Sequence, residues 1–510
     1  MALDGATAGI PIPEETLPPA PVRWVGFVVG PAAAISIWWT MGAGVNAGEL
    51  AASDAAPGSA AAATLSREGV VVLALMAWMA CWWLTQAVEL ATTALLPLIV
   101  FPLTGVTPSI RLTAAPYANE VIFLFAGGCL LAQALERHGL SRRVATAMLS
   151  FAGARPTLVV GTFLLTATLL SAFVSNTATA AMLMPLALAA ANEARRTAPV
   201  QADRAARVGV FGTAVLLAVA YGASIGGGLT LIGSPPNAIA AQALRDAGTS
   251  VTFASWLRFS APLTLVFLPV AWLLLTRVLL PVHRLALARS ASRDDAESSQ
   301  PWSRHAIFTT VVFAVTVTLW VGLPWMPAPL PRLQDGGVAV LAGVALLAIP
   351  LSRSPSDTAL SWRDAARLPW SVLILFGGGL CLADAMDRNG VALWLSRAFH
   401  HLEGAPEIVV IGAIVVSILF LTELASNTAV AATACPVLLA LGPALDIPVE
   451  RLVIPAAFAA SWAFMLPVGT PPNALVYATG RIPAARMARV GLLMNIAAAA
   501  LITMAAAALL

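Results

Sequence analysis

Long apolar segments dominate this sequence of 510 residues. A helix needs about 20 consecutive apolar residues to cross the hydrocarbon core of a bilayer. Only 10% of the residues are charged and 59% are hydrophobic, whereas about 25% of an average soluble domain is charged. We therefore predict an all-α polytopic protein embedded in the lipid bilayer. The eleven predicted transmembrane helices lie near 24–41, 67–85, 88–105, 119–136, 208–245, 257–280, 304–324, 334–351, 369–386, 451–480 and 484–509.

Two further apolar stretches, 157–191 and 407–442, are too long for one simple helix, and a Ser-Asn-Thr triplet interrupts each midway. Each is either two full spans or a re-entrant hairpin that enters and leaves on one side. Short cytoplasmic loops collect basic residues. With two re-entrant hairpins and a cytoplasmic N-terminus, 20 of the 28 arginines face the cytoplasm and the other 8 face outward. We therefore predict two hairpins, a polar cytoplasmic tail over 1–23 and a C-terminus on the outer side of a bacterial inner membrane.

The two halves of the chain repeat each other. LFAGG at 124–128 matches LFGGG at 375–379, and both Ser-Asn-Thr triplets are related by the same offset of 251 residues. Ser-Pro-Pro-Asn at 234–237 matches Thr-Pro-Pro-Asn at 470–473 at an offset of 236. An odd number of predicted spans separates the copies, so they cross the membrane in opposite directions. Inverted repeats with discontinuous helices at matching positions are typical of secondary transporters.

The Pro-Pro-Asn segments predict two unwound helices, one in each copy. Proline removes a backbone donor and stops a helix, while Asn237 and Asn473 can tie the loop back through side-chain hydrogen bonds. Irregular backbone at membrane depth is tolerated only inside protein or beside a wet cavity. We therefore expect the four breaks to converge. Exposed helix N-termini suit carboxylates, and free carbonyl and hydroxyl oxygens suit a dehydrated Na⁺.

These motifs resemble those of the divalent anion/sodium symporter family. The resemblance covers nearly the whole chain from about residue 24 and includes ANEVIFLFAGG, IGSPPNAI, VGTPPNAL and both triplets. It implies a homodimer in which a transport part moves as an elevator against a scaffold part. The implied scaffold is 24–136 and 246–386. The implied transport part is 137–245, with hairpin 157–191 and broken helix 208–245, and 387–510, with hairpin 407–442, broken helix 451–480 and the last helix.

The resemblance also implies binding residues. One Na⁺ site would use Ser171, Ser175, Asn176 and the backbone of Gly233, and the other Thr422, Ser426, Asn427 and the backbone of Gly469. Substrate carboxylates would meet Asn176, Thr177, Asn427 and Thr428, with Ser234, Pro235, Thr470 and Pro471 closing the opposite side. The chain departs from the family at TQAVEL, 85–90, where the usual carboxylate moves from position 86 to Glu89, and at Ser234, which replaces a threonine.

The sequence thus favours Na⁺-coupled transport of small dianions such as succinate, malate or fumarate. A dicarboxylate exchanger that needs no sodium and a transporter of sulfate or another divalent anion are alternatives with the same fold. An intramembrane enzyme would need a catalytic or metal cluster in its spans, and the sequence has no such His/Asp/Glu cluster there. We expect no cofactor beyond Na⁺ as coupling ion, and a net charge of +3 without a basic run gives no indication of nucleic-acid binding. Glu423, whose counterpart is Ala172, either tunes the second cation site or makes a structural hydrogen bond.

Overall fold

The computed structural model describes residues 19–52, 65–151, 153, 155–196, 202–284, 301–327, 330–398 and 404–510. These residues form helices and connecting turns, with no β-strand among them, which confirms the predicted all-α class. The first half contains α1 Ala20–Ala52, α2 Arg67–Thr85, α3 Leu90–Ala94, α4 Leu96–Thr104, α5 Ile110–Ala114, α6 Glu120–Arg137, α7 Leu140–Ser150, α8 Pro156–Ser171, α9 Asn176–Arg196, α10 Ala202–Gly227 and α11 Pro235–Asp246. The second half contains α12 Phe253–Leu273, α13 Arg304–Gly322, α14 Gln334–Ala348, α15 Trp362–Ala365, α16 Trp370–Arg388, α17 Val391–Ala398, α18 Glu407–Thr422, α19 Asn427–Leu445, α20 Glu450–Ser461, α21 Pro471–Ala478 and α22 Ala484–Leu509.

Eight of the described helices are long and apolar enough to cross a membrane, and nine if the bent pair of α5 and α6 counts as one span. The protein is therefore a multi-pass membrane protein. Several helices begin at polar caps that the sequence supplies. The Ser66 hydroxyl accepts from the backbone N–H of Gly69 at the start of α2, and Ser303 does the same for Ala306 at the start of α13. Such caps satisfy backbone donors that a helix start leaves without a partner.

The structure corrects two predicted boundaries. Helix α1 begins at Ala20, so residues 20–23 are helical and not part of the tail, while residues 1–18 lie outside the described residues. The span predicted over 88–105 is divided into α3 and α4, which meet at Leu95. Pro97 in the first turn of α4 explains the division, because proline has no N–H to continue the hydrogen bonds of α3.

The helices pack in two groups. The group that we call the scaffold group consists of α1, α2, α3, α6, α13, α14 and α16. In it α1 packs on α2, α3 packs on α16, and α6 packs on α13 and α14. We call the core group two packed sets of helices that contact each other. In the first set α8, α9 and α10 pack together, and in the second α11, α18, α19, α20 and α22 pack on one another. Helix α21 packs on α9 and α10, and α20 also contacts α10. Helix α12 contacts α8, α10 and α22 of the core group as well as α13. The predicted boundary at residue 246 would assign α12 to the scaffold part.

Paired glycines allow close helix packing inside the scaffold group. A Cβ on Gly127 would lie 2.5 Å from the Ala339 carbonyl oxygen, and one on Gly378 would lie 2.4 Å from that of Ala94. Carbon atoms do not approach oxygen so closely, so only glycine fits at these crossings. One glycine of LFAGG and one of LFGGG are therefore required by close helix packing.

Candidate functional site

Four helix breaks meet at one cavity of about 720 Å³. Residues 172–175 separate α8 from α9 and residues 423–426 separate α18 from α19, which gives each predicted hairpin its tip. Residues 228–234 separate α10 from α11, and residues 462–470 separate α20 from α21. Each break therefore presents one helix C-terminus and one helix N-terminus near the cavity, as the sequence predicted. The predicted site residues in the cavity wall are Ser175, Asn176, Thr177, Gly233, Ser234, Pro235, Ser426, Asn427, Thr428, Gly469 and Pro471.

Three predicted site residues lie behind this wall. Ser171 and Thr422 are fully buried, and each donates its hydroxyl hydrogen to the side chain of an asparagine that does line the cavity. Thr470 is 2% exposed, and its hydroxyl accepts from the backbone N–H of Asn473 at 3.4 Å. The structure thus gives Thr470 a capping contact at the start of α21 and no place in the cavity wall.

The first copy arranges neutral oxygens around its break. The Ser171 hydroxyl donates to Asn176 Oδ1 at 2.7 Å, and the Thr230 hydroxyl donates to the Ala172 carbonyl. A Cβ on Gly233 would lie 2.7 Å from the Gly227 carbonyl oxygen and 3.2 Å from that of Ala172. Hydroxyl, amide and carbonyl oxygens therefore come together without a formal charge, which is a donor set that suits a dehydrated monovalent cation.

The second copy repeats this arrangement. Thr422 donates to Asn427 Oδ1 at 2.6 Å and lies 2.8 Å from the Ala460 carbonyl oxygen. Gly469 occupies the place of Gly233, and a Cβ there would lie 2.6 Å from Glu423 Oε2. The equivalent hydroxyl-to-asparagine bond in both copies shows that the duplication extends to side-chain geometry.

Asn237 and Asn473 hold the unwound segments in equivalent ways. Asn237 Nδ2 donates to the carbonyls of Gly227 and Thr230, at 2.7 and 2.8 Å. Asn473 Nδ2 donates to the carbonyls ten and seven residues before it, at 3.2 and 3.1 Å. Both asparagines are fully buried. The predicted tie-back is confirmed, and it satisfies carbonyls that the breaks release from helical bonding.

Glu423 is the one carboxylate at the breaks. It is 2% exposed and accepts backbone N–H bonds from Phe464, Met465 and Leu466 at 2.8 to 2.9 Å. Asn495 Nδ2 on α22 donates a fourth bond, also at 2.8 Å. The carboxylate therefore accepts all four hydrogen bonds, and three of them come from the unwound segment between α20 and α21. This favours the structural hydrogen-bond interpretation, one of the two that the sequence left open. Since Oε2 would lie 2.6 Å from a Cβ at Gly469, the charge of Glu423 lies beside the second predicted cation site.

The cavity opens at the face of the molecule where α1 begins and α6 ends. Three lining residues that are also exposed mark this mouth, namely Val22 of α1, Glu136 near the end of α6 and Arg367 before α16, whereas Gln86 after α2 lines the cavity but is buried. Glu136 and Arg367 are the formally charged residues among those that line it. Sequence reasoning missed these four residues, because they come from four separate elements and share no motif. Gln86 lies at the departure from the family pattern and has a left-handed φ of 46°, which ends α2.

Comparison with known proteins identifies the family. The profile described as the sodium:sulfate symporter transmembrane region matches residues 60–509. The sodium-dependent dicarboxylate transporter SdcS of Staphylococcus saprophyticus is 36% identical over 439 residues, which cover 85% of this chain and 84% of that protein. The chain belongs to the divalent anion/sodium symporter family. SdcS of Staphylococcus aureus is 35% identical over 443 residues and 85% of each chain, so the recognition from the motifs is confirmed.

A solved structure shares the architecture of this symporter-family chain. The YdaH transporter of Alcanivorax borkumensis superimposes with a TM-score of 0.54 over 80% of this chain and 87% of its own. Its sequence is 15% identical, so the likeness concerns the fold alone. The relatives and the matching profile are described as transporters and symporters.

Proposed function

We propose that this protein is a Na⁺-coupled symporter of C4-dicarboxylates such as succinate, malate and fumarate. The names of its relatives, which are sodium-dependent dicarboxylate transporters, support the class of substrate and of coupling ion. One observation supports the mechanism most directly. Asn176 and Asn427 line the cavity, and each accepts a hydrogen bond from a buried hydroxyl behind the wall.

The anion would lie in the cavity, between the hairpin tips. Helices α9 and α19 begin at Asn176 and Asn427, so their free backbone N–H groups and positive dipole ends lie at the wall. Two such tips suit the two carboxylates of a dicarboxylate, with Thr177 and Thr428 adding hydroxyl donors. Ser234, Pro235 and Pro471, at the starts of α11 and α21, would close the other side.

The sodium ions would lie behind the wall, at the helix C-termini. In the first copy Ser171, Ser175, Asn176 and the Gly233 backbone would bind one ion. In the second, Thr422, Ser426, Asn427 and the Gly469 backbone would bind the other.

Binding of ion and anion would be linked through the shared asparagines. A bound Na⁺ would take the place of the hydroxyl hydrogen at each Oδ1 and turn the amide N–H toward the cavity. Each Na⁺ would also add a positive charge next to a site that has no arginine at the breaks. Anion affinity would therefore rise with sodium, which is the thermodynamic basis of coupling.

The cycle would move the core group against the scaffold group, as an elevator. We place α12 with the moving part, because it packs on α8, α10 and α22. The N-terminus would be cytoplasmic and the C-terminus outside the inner membrane, so that the open mouth faces the cytoplasm. The homodimer implied by the resemblance stays a prediction.

Uptake into proteoliposomes tests the proposal. Radiolabelled succinate should accumulate with an inward Na⁺ gradient and should fail to accumulate with choline in place of Na⁺. Uptake without sodium that depends on succinate inside the vesicle would replace symport with exchange. Sodium-dependent uptake of radiolabelled sulfate, with none of radiolabelled succinate, would replace the substrate with an inorganic dianion.

A further inference from the structure

On the face opposite the cavity mouth, Arg245 lies between two carboxylates. Arg245 is in the last turn of α11, with Nη1 3.4 Å from Glu120 Oε1 and Nη2 3.6 Å from Asp335 Oδ2. Its Nε donates to the Val251 carbonyl at 2.6 Å. The side chains of Arg245 and Asp335 are 18% and 4% exposed, so this cluster is largely out of water.

The two carboxylates are held in place by backbone donors. Asp335 Oδ2 accepts from the Phe253 N–H at 2.7 Å, and Glu120 Oε1 accepts from the Gly336 N–H at 3.1 Å. Both acids lie in the first turn of a helix and the arginine lies in a last turn, where the helix dipoles favour each charge. Gly336 belongs to α14 of the scaffold group, whereas Phe253 begins α12, which we place with the moving part, so Asp335 contacts two elements of that part.

The ion pairs of Arg245 join the two packing groups. Glu120 and Asp335 belong to α6 and α14 of the scaffold group, whereas α11 belongs to the core group. By contrast, Arg451 pairs with Glu407 inside the core group, and Arg137 of α6 pairs with Asp364 of α15, a short helix that itself packs on α6. The Arg245 pairs are also long, at 3.4 and 3.6 Å, and Nη1 is buried without a hydrogen-bond partner among the residues that the structure describes, so these contacts can be broken.

The position of the cluster relates it to the closed side of the cavity. Glu120 begins α6, and Glu136 at the cavity mouth lies 16 residues further along the same helix. At a rise of about 1.5 Å per residue, the two lie roughly 24 Å apart. The cluster therefore joins the groups where the cavity is closed, and α11 connects it directly to Ser234 and Pro235 in the cavity wall.

We propose that Arg245 is a positioning residue of the transport cycle. Its ion pairs with Glu120 and Asp335 hold the core group in the orientation that opens the cavity toward Glu136, and they break when the binding site turns to the opposite face. This inference rests on the proposed transport function, since it requires alternation between two orientations. Without a ligand, the free energy of these ion pairs contributes to the equilibrium between the two orientations. A bound ligand shifts that equilibrium only by its different affinity for the two orientations.

Thiol labelling from each side of the membrane tests the inference. Val468 lines the cavity and is 54% exposed, so Val468→Cys reports which face the cavity opens to. The four native cysteines, Cys81, Cys129, Cys381 and Cys435, are replaced by alanine or serine. A membrane-impermeant maleimide should label Val468→Cys from the Glu136 face. Adding Arg245→Gln should raise labelling from the opposite face about tenfold relative to labelling from the Glu136 face. This corresponds to a shift of about 1.4 kcal/mol in the free-energy difference between the two orientations.

A second variant and a matched control keep the test decisive. Glu120→Gln keeps an acceptor for the Gly336 N–H but removes the negative charge, so it should shift the labelling ratio in the same direction. This variant also tests the inference if Arg245→Gln does not fold. Arg451→Gln removes an arginine whose pair with Glu407, at 2.8 Å, lies inside the core group, and it should leave the ratio unchanged. Equal labelling ratios in the Glu120, Arg245 and Arg451 variants would overturn the inference. The ratio is measured without substrate, so failure of dicarboxylate uptake would count against the proposed function and not against this result.

Discussion

Single side chains at the breaks carry two tasks, and Asn176 and Asn427 show this most clearly. Each faces the cavity and also accepts a hydroxyl hydrogen from behind it. Asn427→Ala should remove a contact to the ion and a contact to the anion, and we expect it to reduce succinate uptake about 100-fold. A 100-fold loss corresponds to about 2.8 kcal/mol of binding free energy. Asn389→Ala removes an asparagine that bonds only to its own helix, at Ala385, and should transport normally. Wild-type uptake by the Asn427 variant would remove this residue from the site.

The buried hydroxyls should act on sodium more than on substrate. Ser171 and Thr422 lie behind the wall, so Ser171→Ala and Thr422→Val each delete one oxygen near a proposed cation site without touching the cavity. We expect the Na⁺ concentration for half-maximal uptake to rise about tenfold, with the maximal rate nearly retained. Thr422→Ser should restore the sodium dependence, and a change in succinate affinity at saturating sodium would contradict the assignment.

At the scale of elements, the sequence predicted the broken helices well because proline and the repeat leave local signals. The hairpin tips and both unwound segments occur where the triplets and the Pro-Pro-Asn motifs placed them. Helices α7 and α17 were not predicted, although they begin 251 residues apart and the repeat offset could have revealed them. The partners of Glu423 and the residues of the cavity mouth could not be predicted, because they depend on tertiary contacts between elements far apart in the chain.

The unwound segments require glycine where they pass the hairpins. Gly233→Ala and Gly469→Ala would each place a methyl group less than 3 Å from an oxygen atom, so the break must shift. We expect both variants to lose sodium-dependent uptake. Gly379→Ala is the matched control, because a Cβ there meets nothing within 4 Å, and it should be neutral. Uptake is compared only between variants that are equally monodisperse in detergent, so that loss of function is separated from loss of folding. Full activity of Gly469→Ala would show that the unwound segment between α20 and α21 is not tightly packed.

For the whole molecule, the two packing groups predict which parts of the protein move relative to each other. Gly128 of α6 and Ile232 of the first break contact each other across the groups, since a Cβ on Gly128 would lie 3.0 Å from Ile232 Cβ. Gly212 of α10 and Ala191 of α9 contact each other inside the core group, at 3.3 Å by the same measure. Disulfides bridge Cβ atoms about 3.5 to 4.5 Å apart, so small adjustments allow a bridge at either pair.

Paired cysteines at these positions therefore distinguish motion between the groups from motion within one. In a cysteine-free background, oxidation of Gly128→Cys with Ile232→Cys should stop succinate uptake, and a reductant should restore it. Oxidation of Gly212→Cys with Ala191→Cys should leave uptake unchanged, because the core group would travel as one body. Gly128 and Ile232 line the cavity, so radiolabelled succinate binding is measured in parallel, and the locked protein should still bind. Continued uptake with the first bridge formed would rule out movement of the core group against the scaffold group, whereas loss of uptake with the second bridge alone would locate the motion inside the core group.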